Sequence, residues 1–562
     1  MKYRKTYPLL FALLLLIGAV GCTDVGVNPK SSASAENALS ADGGYQSFLA
    51  KLYAGLSAVG QTQSGDIDIS AGVPDPGSGQ YMRLYWELQQ LPTDEAVIAW
   101  TDITIQDFNT MGWGATDVYN EAMYSRIFFQ IAQANEFLRE STQGTLESRG
   151  VSAEVQAQMP QWRAEARFLR ALSYWHALDL YDKVALIDES FPRGAEAPPQ
   201  ATRAELYSFI ESELLEITGE SSESGDEVLA PMGQAPYGRA DRGAAYMLLS
   251  KLYLNTETYR NRPDGDNAFG PGNPYAEVVE YTSRVINGPY TLDSEYGNLF
   301  LADNHTADGL IYTIPQDGQN QQSYGGTTFL AHASLGGSLN EKAGDLGLNG
   351  GWFGLRGTPT FAGIFDSADT RPAYLTADLL PGSFFSDLGI SAGEQFYTQG
   401  QTLDVTTSTL TSFSNGYVVP KYRNITSNGE GGSDLDFADI DFPLFRLADA
   451  HLMYAEAFLR GNAGSQGEAV SLVNDLRERA FGGTSNNISA GDLNLDLILD
   501  ERSRELHWEA QRRTDLIRFE RFTDNSVRWG GKPASVDESR RLYPIPLSEV
   551  QANPNITQNP GY

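Results

Sequence analysis

Gln161-Trp-Arg-Ala-Glu-Ala-Arg-Phe-Leu-Arg-Ala-Leu-Ser-Tyr-Trp-His-Ala-Leu-Asp-Leu-Tyr181 decides the fold. Phe168, Leu172 and Trp175 fall at helical spacing and make one apolar stripe. Ala164, Ala166, Ala171, Ser173 and Ala177 are small, so partner helices can approach closely. The pattern predicts a helix over about 153–183, the longest in the chain. Just before it, Tyr124, Phe128, Ile131, Asn135 and Leu138 recur at i+3/i+4 and predict a helix over 117–141. Asn135 lies on that stripe and reads as a buried structural amide bonded to a neighbouring element. After it, helices are expected at 202–218, where Thr202 and Glu205 form a capping box, at 239–256 and at 274–287. Helix pairs joined by short loops predict a mainly α, tetratricopeptide-like helical-repeat scaffold, although the consensus spacing of that repeat is absent.

Further along, the pattern changes. From about Tyr290 to Asp441, Gly, Ser, Thr, Asn and Asp dominate, with short β-like pieces such as Leu310-Ile-Tyr-Thr-Ile314. This reads as a loop-rich insertion with minor β structure, a ligand face within one domain. Its aromatics (Tyr324, Trp352, Phe353, Phe361, Phe365, Tyr417, Tyr422) argue for order. Helices return at 443–461, 464–480 and 495–522. The proline-rich end, Leu542-Tyr-Pro-Ile-Pro546 onward, predicts an extended strap across the helices. The scaffold is therefore 41–289 and 442–562, with the insertion at 290–441.

Toward the N-terminus, a helix is expected from Gly44 to Val59, then a Gly/Ser/Asp/Pro-rich loop to Gly79. Residues 81–113 hold Tyr81, Tyr85, Trp86, Trp100 and Trp113 among polar residues, and helical periodicity breaks down after Val97. Large aromatics in irregular polar sequence suggest a binding surface. Residues 23–40 read as a polar, flexible tether. Ahead of it stands Cys22, the only cysteine in 562 residues. Lys2, Arg4 and Lys5 precede the apolar run Leu9–Ile17, and small residues follow, so residues 1–21 read as a secretory signal peptide. A cysteine at its boundary predicts lipidation of Cys22 and anchoring to membrane lipid by acyl chains.

Composition narrows the functions. The formal net charge is −32, and −35 once Lys2, Arg4 and Lys5 leave with the leader. Such a charge repels nucleic acid. Five histidines are scattered without metal-ligand spacing, and no phosphate-binding loop, nucleophile elbow or dinucleotide fingerprint is found. Glu501, Glu505 and Glu509 recur at i, i+4 and i+8 among Arg502, Arg504, Arg512 and Arg513. Arginine neighbours keep a carboxylate ionised, which does not suit a general acid, so this reads as a structural Arg–Glu network. Asp434, Asp436, Asp439 and Asp441 could hold a structural Ca²⁺, but they lack the EF-hand pattern and read as a solvated acidic loop. No cofactor and no catalytic residue are expected.

Four stretches resemble the SusD/RagB-like outer-membrane lipoproteins of Bacteroidetes-type bacteria. They are 163–183, 239–255, 442–457 with Ile498–Leu506, and the end from Leu542 to Asn559-Pro-Gly-Tyr562. The resemblance implies about four tetratricopeptide-like helix pairs under a loop-rich ligand face. It also implies attachment at the outer membrane, facing the exterior, and pairing with a TonB-dependent, SusC-like β-barrel transporter. The subunit would capture a glycan or oligosaccharide and act as a lid, without catalysis.

Sugar rings present apolar C–H faces that stack on aromatic rings, and polar neighbours bind their hydroxyls. By residue type and location, Trp100 and Trp113 are candidate platforms, with Asp102 as hydroxyl acceptor. In the insertion, Trp352 and Tyr324 are candidates, with Arg356 as donor. Trp352 stays open between core and ligand, because Gly351-Trp-Phe-Gly-Leu-Arg-Gly357 itself looks like a recurrent family segment. Trp162, Trp175 and Trp508 sit on helices and read as core. The alternatives are an oligopeptide-capturing subunit of the same kind of transporter, a surface-anchored glycoside hydrolase, and a scaffold that binds only protein.

Overall fold

The computed structural model describes residues 35–41, 43–60, 66–69, 72–194, 197–222, 224–262, 268–336, 343–372 and 402–562. The leader, Cys22 and most of the tether lie outside the described residues. The chain falls into two units, 1–45 and 46–562. In the first, Ala35–Ser40 is a short helix where the composition reads as tether.

From Gly44 onward the helices follow their sequence signals closely. The elements used below are α1 (Gly44–Ala54), α2 (Tyr81–Gln90), β1 (Ala96–Ile98), α3 (Val118–Glu140), α4 (Ala153–Tyr181), α5 (Arg203–Thr218), α6 (Arg242–Leu254), α7 (Pro274–Ile286), β2 (Leu310–Ile314), α8 (Gly326–Ala333), β3 (Leu355–Gly357), β4 (Phe442–Arg446), α9 (Leu447–Gly461), α10 (Gln466–Phe481), α11 (Leu495–Leu506) and α12 (Arg512–Arg518). Side chains close the exposed amides at several starts: Asp117 for α3, Ser152 for α4 and Asp241 for α6. The Thr202–Glu205 capping box is formed at α5, and Gly219, at φ 81°, ends that helix in the left-handed region.

Successive helices pack in chain order: α3 on α4, α4 on α5, α5 on α6, α6 on α7, then α7 on α9, and α9 on α10 and α11. This is a helical-repeat scaffold, with the insertion leaving after α7 and returning beside it. From Phe168 to its end, every residue of α4 is buried, so close helix approach over its alanines is realised. Asn135 is 1% exposed; it donates to the Ile187 carbonyl at 2.9 Å and accepts from Arg170 at 2.7 Å. The insertion is closed by two antiparallel strand pairs. Strand β2 pairs with β4, and β1 pairs with β3 in the register Ala96–Gly357, Val97–Arg356, Ile98–Leu355.

The C-terminal helix expected over 495–522 is broken. Residues 507–511 separate α11 from α12, and Trp508 and Ala510 have φ of 61° and 58°. The reason lies in Trp508. Its N–H goes to Glu95 (3.1 Å) and its carbonyl accepts from Trp86 (2.9 Å) and Tyr422 (3.0 Å), bonds a continuous helix would use internally.

The Arg–Glu network is present, but with other partners than sequence neighbours suggest. Glu501 meets Arg371 (2.7 Å), Arg477 and Arg504, whereas Glu505 meets Arg371, Arg446 and Arg479 (2.6 Å). Glu509 meets Arg446 and Lys421. Arg502, Arg512 and Arg513 turn instead to Asp449, Asp94 and Asp179. From the insertion, Arg371 thus reaches two carboxylates of α11, and Lys421 reaches Glu509 just beyond it.

The strap runs as its prolines suggest, with a short helix at Leu547–Ala552. The Tyr543 N–H donates to Leu180 O, and Asn559 donates to Tyr181 O, both on α4.

Candidate functional site

Three of the aromatic candidates meet at one place. Trp100 follows β1, Trp352 precedes β3, and the β1–β3 pair holds them side by side. The Trp100 indole N–H donates to the Trp352 carbonyl at 2.9 Å, and the Ala99 N–H donates to the Gly354 carbonyl at 2.8 Å. The Trp100 ring also lies on Gly354, where an added Cβ would come within 2.7 Å of the indole. Ring centroids of Trp100 and Trp352 are 6.5 Å apart with planes inclined 36°. Tyr324 stands 5.9 Å beyond Trp352, inclined 66°. Both indoles are half-buried, and Tyr324 is 38% exposed.

Beneath this row are residues that sequence reasoning missed. His332, on α8, stacks under Trp352 at 4.6 Å and 11°, its Nδ1 bonded to Gly350 O. Burial lowers its pKa, so the imidazole stays neutral beneath the indole. Arg83, on α2, lies 4.3 Å from the Phe329 centroid and 5.7 Å from that of Trp100, and donates to Tyr324 O at 3.3 Å. It pairs with Glu87 at 3.0 Å. Burial pushes the Glu87 carboxyl up to about 7, against the pull of Arg83. Phe437 backs Tyr324 at 4.8 Å. Only the i,i+4 spacing of Arg83 and Glu87 was visible in advance, and it is common on helices.

The remaining candidates separate. Trp113 is 1% exposed; its N–H donates to the Tyr562 hydroxyl (2.7 Å) and its ring packs on Tyr543 at 4.6 Å. It locks the strap and is no platform. Arg356 is likewise buried, donating to the Phe413 carbonyl at 2.6 Å with its guanidinium over that ring, so it is no ligand donor. Asp102 is exposed on the turn after Trp100. Tyr81, Tyr85 and Trp86 are core residues of α2.

Of the four aspartates only Asp436 is exposed, so the loop is not simply solvated. Asp441 is 5% exposed and accepts from Tyr237 (2.5 Å) and the Gln316 N–H (2.8 Å). Asp439 accepts from the Gly318 N–H, and Asp434 from the N–H groups of Asp436 and Phe437. Among the described residues no three His, Cys, Asp or Glu converge as a metal ion would require. In the network on α11, burial alone would raise Glu505, but the charges of Arg479, Arg446 and Arg371 outweigh it and hold it well below the usual range. A carboxylate so held cannot donate a proton to a leaving group.

What the site offers is a row of partly open ring faces over a buried Arg83–Glu87 pair. The family model described as SusD family matches residues 389–562. Over 603 aligned residues, spanning all of both chains, the sequence is 30% identical to the starch-binding protein SusD of Bacteroides thetaiotaomicron. The chain belongs to the SusD family. It is also 25% identical over the full length of both chains to the SusD-like protein P2 of Formosa agariphila. Two solved structures share this SusD fold. A SusD superfamily protein from Parabacteroides distasonis has a TM-score of 0.67 at 22% identity, over 93% of this chain and 99% of its own. Surface glycan-binding protein A from Bacteroides thetaiotaomicron, in complex with laminarihexaose, has a TM-score of 0.66 at 19% identity, over 92% and 99%.

Proposed function

We propose that this protein captures a starch-type α-glucan at the cell surface and passes it, as a lid subunit, to a TonB-dependent, SusC-like outer-membrane transporter. The observation that carries the reading is the row Trp100–Trp352–Tyr324. The ring planes are inclined 36° between Trp100 and Trp352 and 66° between Trp352 and Tyr324, so the three do not form one flat platform and suit a ligand that bends. α-1,4-Linked glucans coil and present apolar C–H faces along a curve, which flat β-1,4 chains do not. Stacking gains from desolvating both faces and needs no cofactor. The full-length similarity to a protein named for starch binding supports the choice of glucan. Anchoring through lipid on Cys22, at the outer membrane and facing outward, completes the reading.

Native affinity electrophoresis in gels containing soluble starch, laminarin or mannan tests it. Starch is expected to retard the protein, and Trp100→Ala with Trp352→Ala to weaken that retardation about tenfold or more, without release of reducing ends. Absence of retardation by starch, or reducing ends released from it, would contradict the proposal.

A further inference from the structure

A cavity of about 310 Å³ lies on the scaffold between α1 and the segment around Tyr237. Its walls include Ala50, Pro315 and Tyr237, with Ser57, Gln321 and Arg239 supplying polar groups. Tyr237 is 49% exposed, a large area for an aromatic ring on a soluble surface. Yet the ring is held in place. Its hydroxyl donates to Asp441 at 2.5 Å, and Asp441 is itself buried and bonded to the Gln316 N–H. The adjoining Gly238, at φ 74°, lets the backbone close on Pro315, where a Cβ would come within 2.4 Å of that ring. A fixed aromatic face loses little conformational entropy on binding. Across the opening, Gln321 donates to Ser57 and Arg239 is paired with Glu165, so these polar groups are oriented too. An apolar wall with a few placed polar groups, at this volume, is the usual make-up of a small-ligand site.

The cavity also shares a segment with the three-ring row. Residues 315–324 supply Pro315 and Gln321 to the cavity and Tyr324 to the row. Residues 437–441 supply Phe437, behind Tyr324, and Asp441, which fixes Tyr237. We propose that this cavity is a second contact for the same glycan: it takes a pyranose unit stacked on Tyr237, with hydroxyls bound by Gln321, Ser57 and Arg239. The proposal rests on the reading of Trp100, Trp352 and Tyr324 as a glycan site. Its consequence is a preference for polymer over short oligosaccharide, because only a chain long enough to span the two places contacts both.

The test uses the full-length protein in detergent, with starch affinity electrophoresis and calorimetry on maltotetraose. Tyr237→Ala is expected to weaken starch retention about two- to tenfold. Its affinity for maltotetraose stays within about twofold. Tyr237→Phe keeps the ring but loses its bond to Asp441, and restores part of the starch retention. Unchanged starch retention in Tyr237→Ala overturns the second contact and leaves the three-ring reading intact. Equal loss of both ligands overturns it as well, since the cavity would then not be separate. No starch retention by the unsubstituted protein overturns both readings. If Tyr237→Ala melts early, Gln321→Ala takes its place with the same expected split.

Discussion

Trp100 and Trp113 carry the same indole in the same aromatic stretch, and the fold gives them opposite work. Trp100 leaves β1 onto a glycine and stays half-buried. Trp113 is enclosed by the strap, its N–H satisfied by Tyr562. The two therefore respond differently to truncation. Trp100→Ala should weaken starch binding about tenfold while leaving the melting temperature nearly unchanged. Trp113→Ala should cost about 3–5 kcal/mol of stability in urea unfolding, with the folded fraction binding starch normally. A Trp113 variant that loses affinity without losing stability would reverse the assignment. Gly354→Ala should resemble Trp100→Ala, because its methyl group displaces the indole; calorimetry on maltotetraose would register this. Residue type and loop location were enough to pick out Trp100, Tyr324 and Trp352. They could not separate Trp113, since its partner Tyr562 stands at the other end of the chain. Nor could they find Arg83 or His332, which look like ordinary helix residues until the rings above them are placed.

At the scale of elements, the helices were legible because capping and apolar spacing are local signals. The break at 507–511 was not, because its cause is a set of long-range bonds from Trp508 to Glu95, Trp86 and Tyr422. Strand β4 was missed for a similar reason: Phe442–Arg446 borders a helical run, and only its pairing with β2 makes it a strand. The carboxylates on these elements predict a pH profile. Glu87 and Glu95 are pushed up to about 7 by burial, Glu87 opposed by Arg83 and Glu95 by Arg512. From pH 4.5 to 7 the unfolded chain ionises these groups while the folded chain retains their protons. Stability therefore falls as pH rises through that window, by up to about 3 kcal/mol for each group. Asp449 and Glu456 work the other way. Burial alone would raise them, but Lys251 and Arg502 hold Asp449, and Arg518 and Arg460 hold Glu456, at about 2. Their contribution is present above the unfolded values near 4 and is lost as pH falls toward 2. Melting temperature measured against pH should peak in mildly acidic buffer, and Glu87→Gln should flatten the neutral side. A maximum at neutral pH, unmoved by that substitution, would count against the assignment.

On the scale of the whole molecule, a helical-repeat scaffold holds the row of rings in place from below, through α2 and α8, and from the side, through β1 and β3. The strap then closes the scaffold. Asn559 bridges it, donating to Tyr181 O at 2.9 Å and Tyr543 O at 2.8 Å. Asn559→Ala should cost about 1–3 kcal/mol in urea unfolding; a loss well below that would mean the strap does not tie α4. The architecture was legible in outline because the repeat helices, the insertion and the proline-rich end differ in composition. Where the insertion touches the scaffold was not legible, since Arg371 and Lys421 find their glutamates far along the chain. The central claim concerns one surface, and a crystal structure of the protein soaked with maltohexaose tests it most directly. The account predicts glucose units stacked in a curve on Trp100, Trp352 and Tyr324. Glucose units bound elsewhere, with those three rings left bare, would contradict it.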